Sequence, residues 1–169
     1  MPILPILTVP DERLKEVSRP VAAVTDEVRA FLADLVETMR TAPGGVGIAA
    51  PQVARAERIV TVDVSGHRIG GKERNHGLLL LVNPVIVRSG GSRIVREGCM
   101  SVPDYTGNVR RAEWVVVDTL DGDGNRAVIE ASGFEAVVIQ HEMDHLDGLL
   151  FLDRIVSVKT DLFRRKKFA

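Results

Sequence analysis

The sequence predicts an α+β fold in which mixed or antiparallel sheets pack around a central metal-binding H-E-x-x-H helix, with a short C-terminal helix after it. Three observations carry this expectation. Several strand-like runs are joined by hairpin-sized connections, without the spacing of parallel βαβ units. Two or three helical segments are interspersed among them. The helix near residue 140 ends in Gln140-His141-Glu142-Met143-Asp144-His145, which contains an H-E-x-x-H motif. With 169 residues, 45% of them apolar, and a formal net charge of −1, residues 1–169 are expected to form one domain with a sizeable core. The near-neutral balance offers no electrostatic case for DNA as a partner. A single cysteine excludes an intramolecular disulfide and fits a reducing compartment. The apolar start, Ile3 to Val9, is broken by Pro5 and lacks a basic flank, so neither a signal peptide nor a membrane span is expected. The expected location is cytoplasmic.

In chain order, Asp11 to Leu14 reads as a short turn or helix that ends before Pro20. Thr25 caps a helix in which Val28, Phe31, Leu32, Leu35, Val36 and Met39 recur at helical spacing, and Pro43-Gly44-Gly45 stops it. A small-residue loop follows, Gly45 to Gln52. It is no dinucleotide fingerprint, because no strand leads into it and no third glycine is in register. Its small residues instead let backbone approach a ligand, toward which Gln52 can aim its amide. Arg58 to Val64 and Leu78 to Val87 read as strands, the second interrupted at Asn83-Pro84. Ser65 to Gly77 between them is a polar hairpin loop, expected to be the most mobile part. Ser92 to Arg96 is a strand that leads into Glu97-Gly98-Cys99-Met100-Ser101. Trp114 to Thr119 and Ala127 to Ala131 flank Asp121-Gly122-Asp123-Gly124-Asn125, which is a hairpin turn; it lacks the last acidic ligand and the helices of a calcium loop. Leu149 to Leu152 reads as a short strand and Val156 to Phe168 as the C-terminal helix, whose basic end (Arg164, Arg165, Lys166, Lys167) is a solvated tail.

The chemistry concentrates in the helix. Phe134, Val137, Val138, His141, Glu142, His145 and Leu146 form the inward stripe of an amphipathic pattern. Histidines at i and i+4 stand one turn apart on one face, as two ligands of one metal require, and the adjacent glutamate can serve a water. A buried carboxylate and imidazoles need partners, and metal coordination supplies them. A catalytic site of this type takes three protein ligands. His is absent at position 151, where the metzincin extension needs one, and no glutamate follows Glu142 for a gluzincin. The third ligand is therefore upstream or a downstream aspartate. His67 and His76 lie in the loop, and Cys99 is the sharper candidate.

Gly45 to Gln52, Glu97 to Ser101 and Gln140 to His145, in this order, resemble the three signature motifs of the peptide deformylases, G-x-G-x-A-A-x-Q, E-G-C-L-S and Q-H-E-x-D-H. Met100 stands where the second motif has leucine, and Asp104 to Asn108 follows none of the family's pattern. The resemblance implies a metal held by Cys99, His141 and His145. Iron(II) is the metal expected, with zinc, nickel or cobalt able to substitute. It implies hydrolysis of the N-formyl group from the formyl-methionine of new polypeptides, with formate released. In that reading Glu142 takes a proton from the attacking water, while the Gln52 amide and the Met100 backbone N–H meet the oxyanion. Val46 and Gly47 offer backbone contacts, and Val46, Phe134, Val137 and Val138 wall an apolar slot for methionine. Glu97, Arg111 and Asp144 support the site, with Arg111 paired to one of the acids. Nascent formyl-methionine peptides are the partners implied, and a transient ribosome contact is expected at the basic C-terminal end. Competing readings are a metal-binding homologue without catalysis and a metallopeptidase acting at internal bonds. Intact Gln52, Cys99 and Glu142 weigh against the first, and the missing further His or Glu against the second.

Overall fold

The computed structural model describes residues 3–165. Helix α1 (Asp26–Thr41) is followed by strands β1 (Gly47–Ala49), β2 (Ile59–Val62), β3 (Leu79–Gly90), β4 (Arg93–Cys99), β5 (Val102–Arg111), β6 (Trp114–Leu120) and β7 (Arg126–Ser132). Helix α2 (Gly133–Leu146), the single turn α3 (Val158–Asp161) and β8 (Leu162–Arg164) complete the chain. A five-stranded sheet runs β1-β2-β3-β6-β7 and a three-stranded sheet β4-β5-β8, with every strand pairing antiparallel.

The layers follow from side-chain periodicity. Thr25 Oγ1 accepts from Val28 N (3.3 Å), starting α1, which buries Val28, Leu32, Leu35 and Met39. These pack on Ile48, Ile59 and Val82 of the larger sheet. Val60 and Val62, on its other face, pack on Ala136, Val138, Ile139, Met143 and Leu146 of α2. β2 is therefore buried on both faces, and its Ile-Val-Thr-Val run is correspondingly short of polar residues. A third cluster, with Cys99, Val102, Val109, Leu150 and Phe151, underlies the smaller sheet. Among the described residues no helix is long and apolar enough to cross a membrane.

The α+β class, the antiparallel sheets and a short C-terminal helix agree with expectation, but the expected metal-binding H-E-x-x-H helix needs correction. The group able to hold a metal is Cys99 with His141 and His145, so the helix alone does not form the centre. The physical reason is geometric: one helical face presents two imidazoles, and β4 must bring the sulfur to them from another sheet. Nor is α2 amphipathic. Residues Glu135 to Leu146 are buried except Gln140, because sheet covers one flank and the smaller sheet's side of the molecule the other. Leu149 to Leu152 is not a strand; a 3-10 turn occupies Phe151–Arg154. The C-terminal helix is one turn, and Leu162–Arg164 pair with β5 instead. Lys166 to Phe168 lie outside the described residues. β5 itself runs through Asp104 to Asn108, where no strand was expected.

The 65–77 loop is fastened to the start of α2. Glu73 Oε2 accepts from Phe134 N (3.2 Å), satisfying a first-turn donor that the Ser132 side chain does not cap. Glu135 accepts from His76 N (2.7 Å), and His67 stacks on Phe134 with centroids 4.2 Å apart. At the other end Arg58 Nη1 donates to Leu146 O (3.0 Å), placing a cation where the helix dipole favours one.

Candidate metal centre and peptide cavity

Three non-adjacent segments converge on a cavity of about 650 Å³. α2 contributes His141, Glu142 and His145, all buried. β4 ends in Cys99, whose Sγ lies 3.4 Å from His145 Nε2, and the ligand atoms of Cys99, His141 and His145 all fall within 4.8 Å of one another. The 3-10 turn Ala50–Val53 presents Gln52. Its Oε1 accepts from Ala49 N (2.9 Å), which orients the amide so that Nε2 donates to Ser101 Oγ (3.1 Å) and faces Cys99 Sγ (3.5 Å). The N-terminal arm ties these turns together, with Leu7 N donating to Gln52 O (2.7 Å) and Val9 N to Ser101 O (2.9 Å).

β1 passes α2 at van der Waals range. A Cβ on Gly47 would lie 2.6 Å from Glu142 Oε2 and 2.8 Å from Val138 Cγ1, so only glycine allows this approach. Gly47→Ala is accordingly expected to displace Glu142 and lower kcat/KM by roughly tenfold to a hundredfold, the scale of an ångström-sized misplacement. Steady-state kinetics at full metal loading checks this; unchanged kinetics would show that Glu142 is free to move aside. Val46, Phe134, Val137, Val138 and Met100 line the same cavity, with His67 and Ile69 at its outer part.

A buried ion network lies behind the cluster. His141 Nδ1 donates to Glu97 Oε1 (2.7 Å), leaving Nε2 for a ligand bond, the usual way a carboxylate fixes the tautomer of a metal-binding histidine. Arg111 donates to both Glu97 oxygens (2.6 and 2.8 Å) and to Asp144 Oδ2 (2.6 Å). Asp144 also accepts from Arg154 (2.5 and 2.7 Å). Arg111 thus bridges both acids, where an ion pair with one was expected. Arg154 and Ser101 were not singled out from sequence. Ser101 had a signal, two residues after Cys99 in the same motif, whereas nothing local marks Arg154.

Burial opposes charge on His141, yet Glu142, Cys99 and Glu97 raise its pKa well above the ordinary value. Burial, then the His141 charge, push His145 well below its ordinary value. Burial also raises Glu142 to about 7. For Glu97 burial is outweighed by Arg111 and His141, which hold it at about 2. Among the described residues Glu142 Oε1 and His145 Nδ1 are buried without hydrogen-bond partners. One thiol sulfur and two imidazoles suit a divalent transition-metal ion.

The comparisons agree with this chemistry. A family model described as polypeptide deformylase matches residues 3–161. The chain belongs to the peptide deformylase family. Peptide deformylase 2 of Vibrio vulnificus is 44% identical over 166 residues, 98% of this chain and 94% of that protein. The peptide deformylase of Ehrlichia chaffeensis in complex with actinonin superimposes with a TM-score of 0.87 at 38% identity, over 94% of this chain and 92% of that one. A class I type b peptide deformylase from Acinetobacter baumannii with Met-Ala-Ser bound gives a TM-score of 0.83 at 36% identity, over 91% and 99%. As a peptide deformylase, this chain is a metal-dependent amidohydrolase of protein biosynthesis. It removes the N-formyl group from methionine-initiated peptides and releases formate.

Proposed function

We propose that Cys99, His141 and His145 hold the metal and that Glu142 and Gln52, with the Met100 backbone N–H, carry out deformylation in the cavity above them. The observation that carries this assignment is the unpartnered Glu142 Oε1, buried beside a Cys-His-His cluster and 4.0 Å from His145 Nε2. A divalent ion bound there supplies Lewis acidity for the formyl carbonyl and a more acidic water. Glu142, its pKa raised by burial, takes the proton of the attacking water and returns it to the departing amine. Gln52 Nε2 has two hydrogens. Ser101 Oγ takes one, and the other, directed at Cys99 Sγ, is available to the oxyanion together with the Met100 N–H. Val46 and Gly47 contact the peptide backbone, and Phe134, Val137 and Val138 with Val46 receive the methionine side chain, whose flexibility suits an irregular apolar slot. The Met-Ala-Ser held by the Acinetobacter relative supports a peptide in this cavity.

Iron(II) is the metal proposed, and the enzyme is taken to act as one catalytic domain in the cytoplasm, where nascent chains are made. A transient ribosome contact through the basic C-terminal end, where Arg164 is exposed, belongs to the same proposal. Matched formyl-Met and acetyl-Met peptides test the assignment. The acetyl methyl clashes at the enclosed carbon and misplaces the carbonyl, so formate release is expected with little acetate release. Equal rates, or cleavage of internal bonds, would overturn it. Anaerobically purified protein is expected to hold one iron per chain, and Cys99→Ala to lose it; metal retained without Cys99 would remove the sulfur from the ligand set.

A further inference from the structure

The position of β8 places a cation at the cavity mouth. Tyr105 pairs with Arg164 and Thr106 with Phe163, and Arg165 N donates to Asp104 O (2.7 Å). The chain then turns Arg165 toward Gly98, where a Cβ would stand 2.5 Å from Arg165 Nη2. Gly98 precedes Cys99, so this guanidinium covers backbone next to the metal cluster and lines the same cavity. Arg96 shares the Gly98 face of β4 by the two-residue period of a strand. It is held in place: its guanidinium lies 3.5 Å from the Phe163 ring centroid, and Nε donates to Asn108 Oδ1 (3.2 Å). Among the described residues no carboxylate pairs with Arg165. The two acids that line the cavity, Glu97 and Glu142, are buried at its reactive end. Among the described residues the outer cavity therefore has exposed guanidinium groups and no acid lining it beside them.

We propose that Arg165, with Arg96 beside it, forms a carboxylate subsite that recognises an aspartate or glutamate side chain at the second or third position of the substrate peptide. This rests on the reading of the cavity as the formyl-peptide site. Guanidinium is planar and matches a carboxylate in bidentate fashion, and stacking on Phe163 reduces the ordering that Arg96 must undergo on binding. The pair is solvent-exposed, so its contribution is modest and salt-sensitive, and it falls on KM because ground state and transition state share it.

The test uses metal-loaded enzyme and C-terminally amidated formyl-Met tripeptides with aspartate, alanine or lysine at the second or third position, read by formate release. In the wild type, kcat/KM for an aspartate peptide is expected to exceed that for its alanine counterpart by roughly two- to fivefold, through KM, with the ratio shrinking at high salt. Arg165→Gln should bring the ratio near unity, Arg165→Lys should keep part of it, and Arg165→Glu should invert it toward the lysine peptide. A wild-type ratio of about one at both positions, or one that survives both the glutamine and glutamate variants, overturns the subsite. A gain seen only when the alanine peptide carries a free C-terminus assigns the guanidinium groups to the chain-end carboxylate and overturns recognition of a side chain. Absence of formate from every peptide overturns the cavity reading as well.

Discussion

Replacing Glu142 with glutamine is expected to leave the metal bound and to lower turnover by at least about a hundredfold, the usual scale for loss of a general base. The variant keeps the shape of the side chain beside Gly47 and leaves Cys99, His141 and His145 untouched, so folding and metal content should match the wild type. The pH profile gives a second reading. A protonated Glu142 cannot accept the water's proton, so wild-type kcat/KM falls as pH drops through the ionisation of this group. Burial is the largest cause of its pKa rise to about 7, and a bound cation stabilises the carboxylate and moves the midpoint lower. The acidic limb should disappear in Glu142→Gln. Near-normal turnover, or an unchanged acidic limb, would remove Glu142 from the reaction.

Arg111→Met is expected to cost on the order of 3–5 kcal/mol of stability, because it leaves buried carboxylates without their shared partner. Arg111 is only 3% exposed and is the group that joins Glu97 to Asp144. For a chain of this length such a loss lowers Tm by roughly 6–20 °C. The effect depends on pH. Glu97 has a folded pKa of about 2, below its ordinary value of 4.5, so its contribution is full above 4.5 and is lost as pH falls through about 2. The gap between wild type and variant should therefore be widest near neutrality and close toward pH 2. Thermal unfolding of the metal-free proteins across this range measures it. A gap that persists at pH 2 would attribute the loss to packing rather than charge.

The chemistry of the site was legible because it is written locally. Gly45 to Gln52, Glu97 to Ser101 and Gln140 to His145 each name their atoms within a few residues, and their convergence needed only a fold that brings them together. Elements whose inward positions are not apolar were invisible. β5 alternates regularly in its second half, but the buried positions there are Gly107, Val109 and Arg111, so hydrophobic periodicity finds no strand there. α2 misled in the opposite sense. Its polar residues marked a face, yet Ile139, Met143 and Asp144 on other sides are buried too, and tertiary cover rather than periodicity decides that. The apolar run Leu149 to Leu152 was too short to distinguish a strand from the turn that occupies it. Arg154 escaped notice because its partner is ten positions back and across a reversal of the chain.

Gln52 and Cys99 are 47 positions apart, and Cys99 and His145 are 46. During synthesis, then, the donors emerge one after another, and the imidazoles come only after all seven strands of the first 132 residues. Until α2 docks, the Cys99 thiol and the His141–His145 pair are not brought together. Ion capture in this protein consequently marks the completion of folding rather than its nucleation, and the binding energy is added to a nearly finished structure. A chain arrested before α2 would carry the sulfur and the amide and still lack the two imidazoles that complete the cluster.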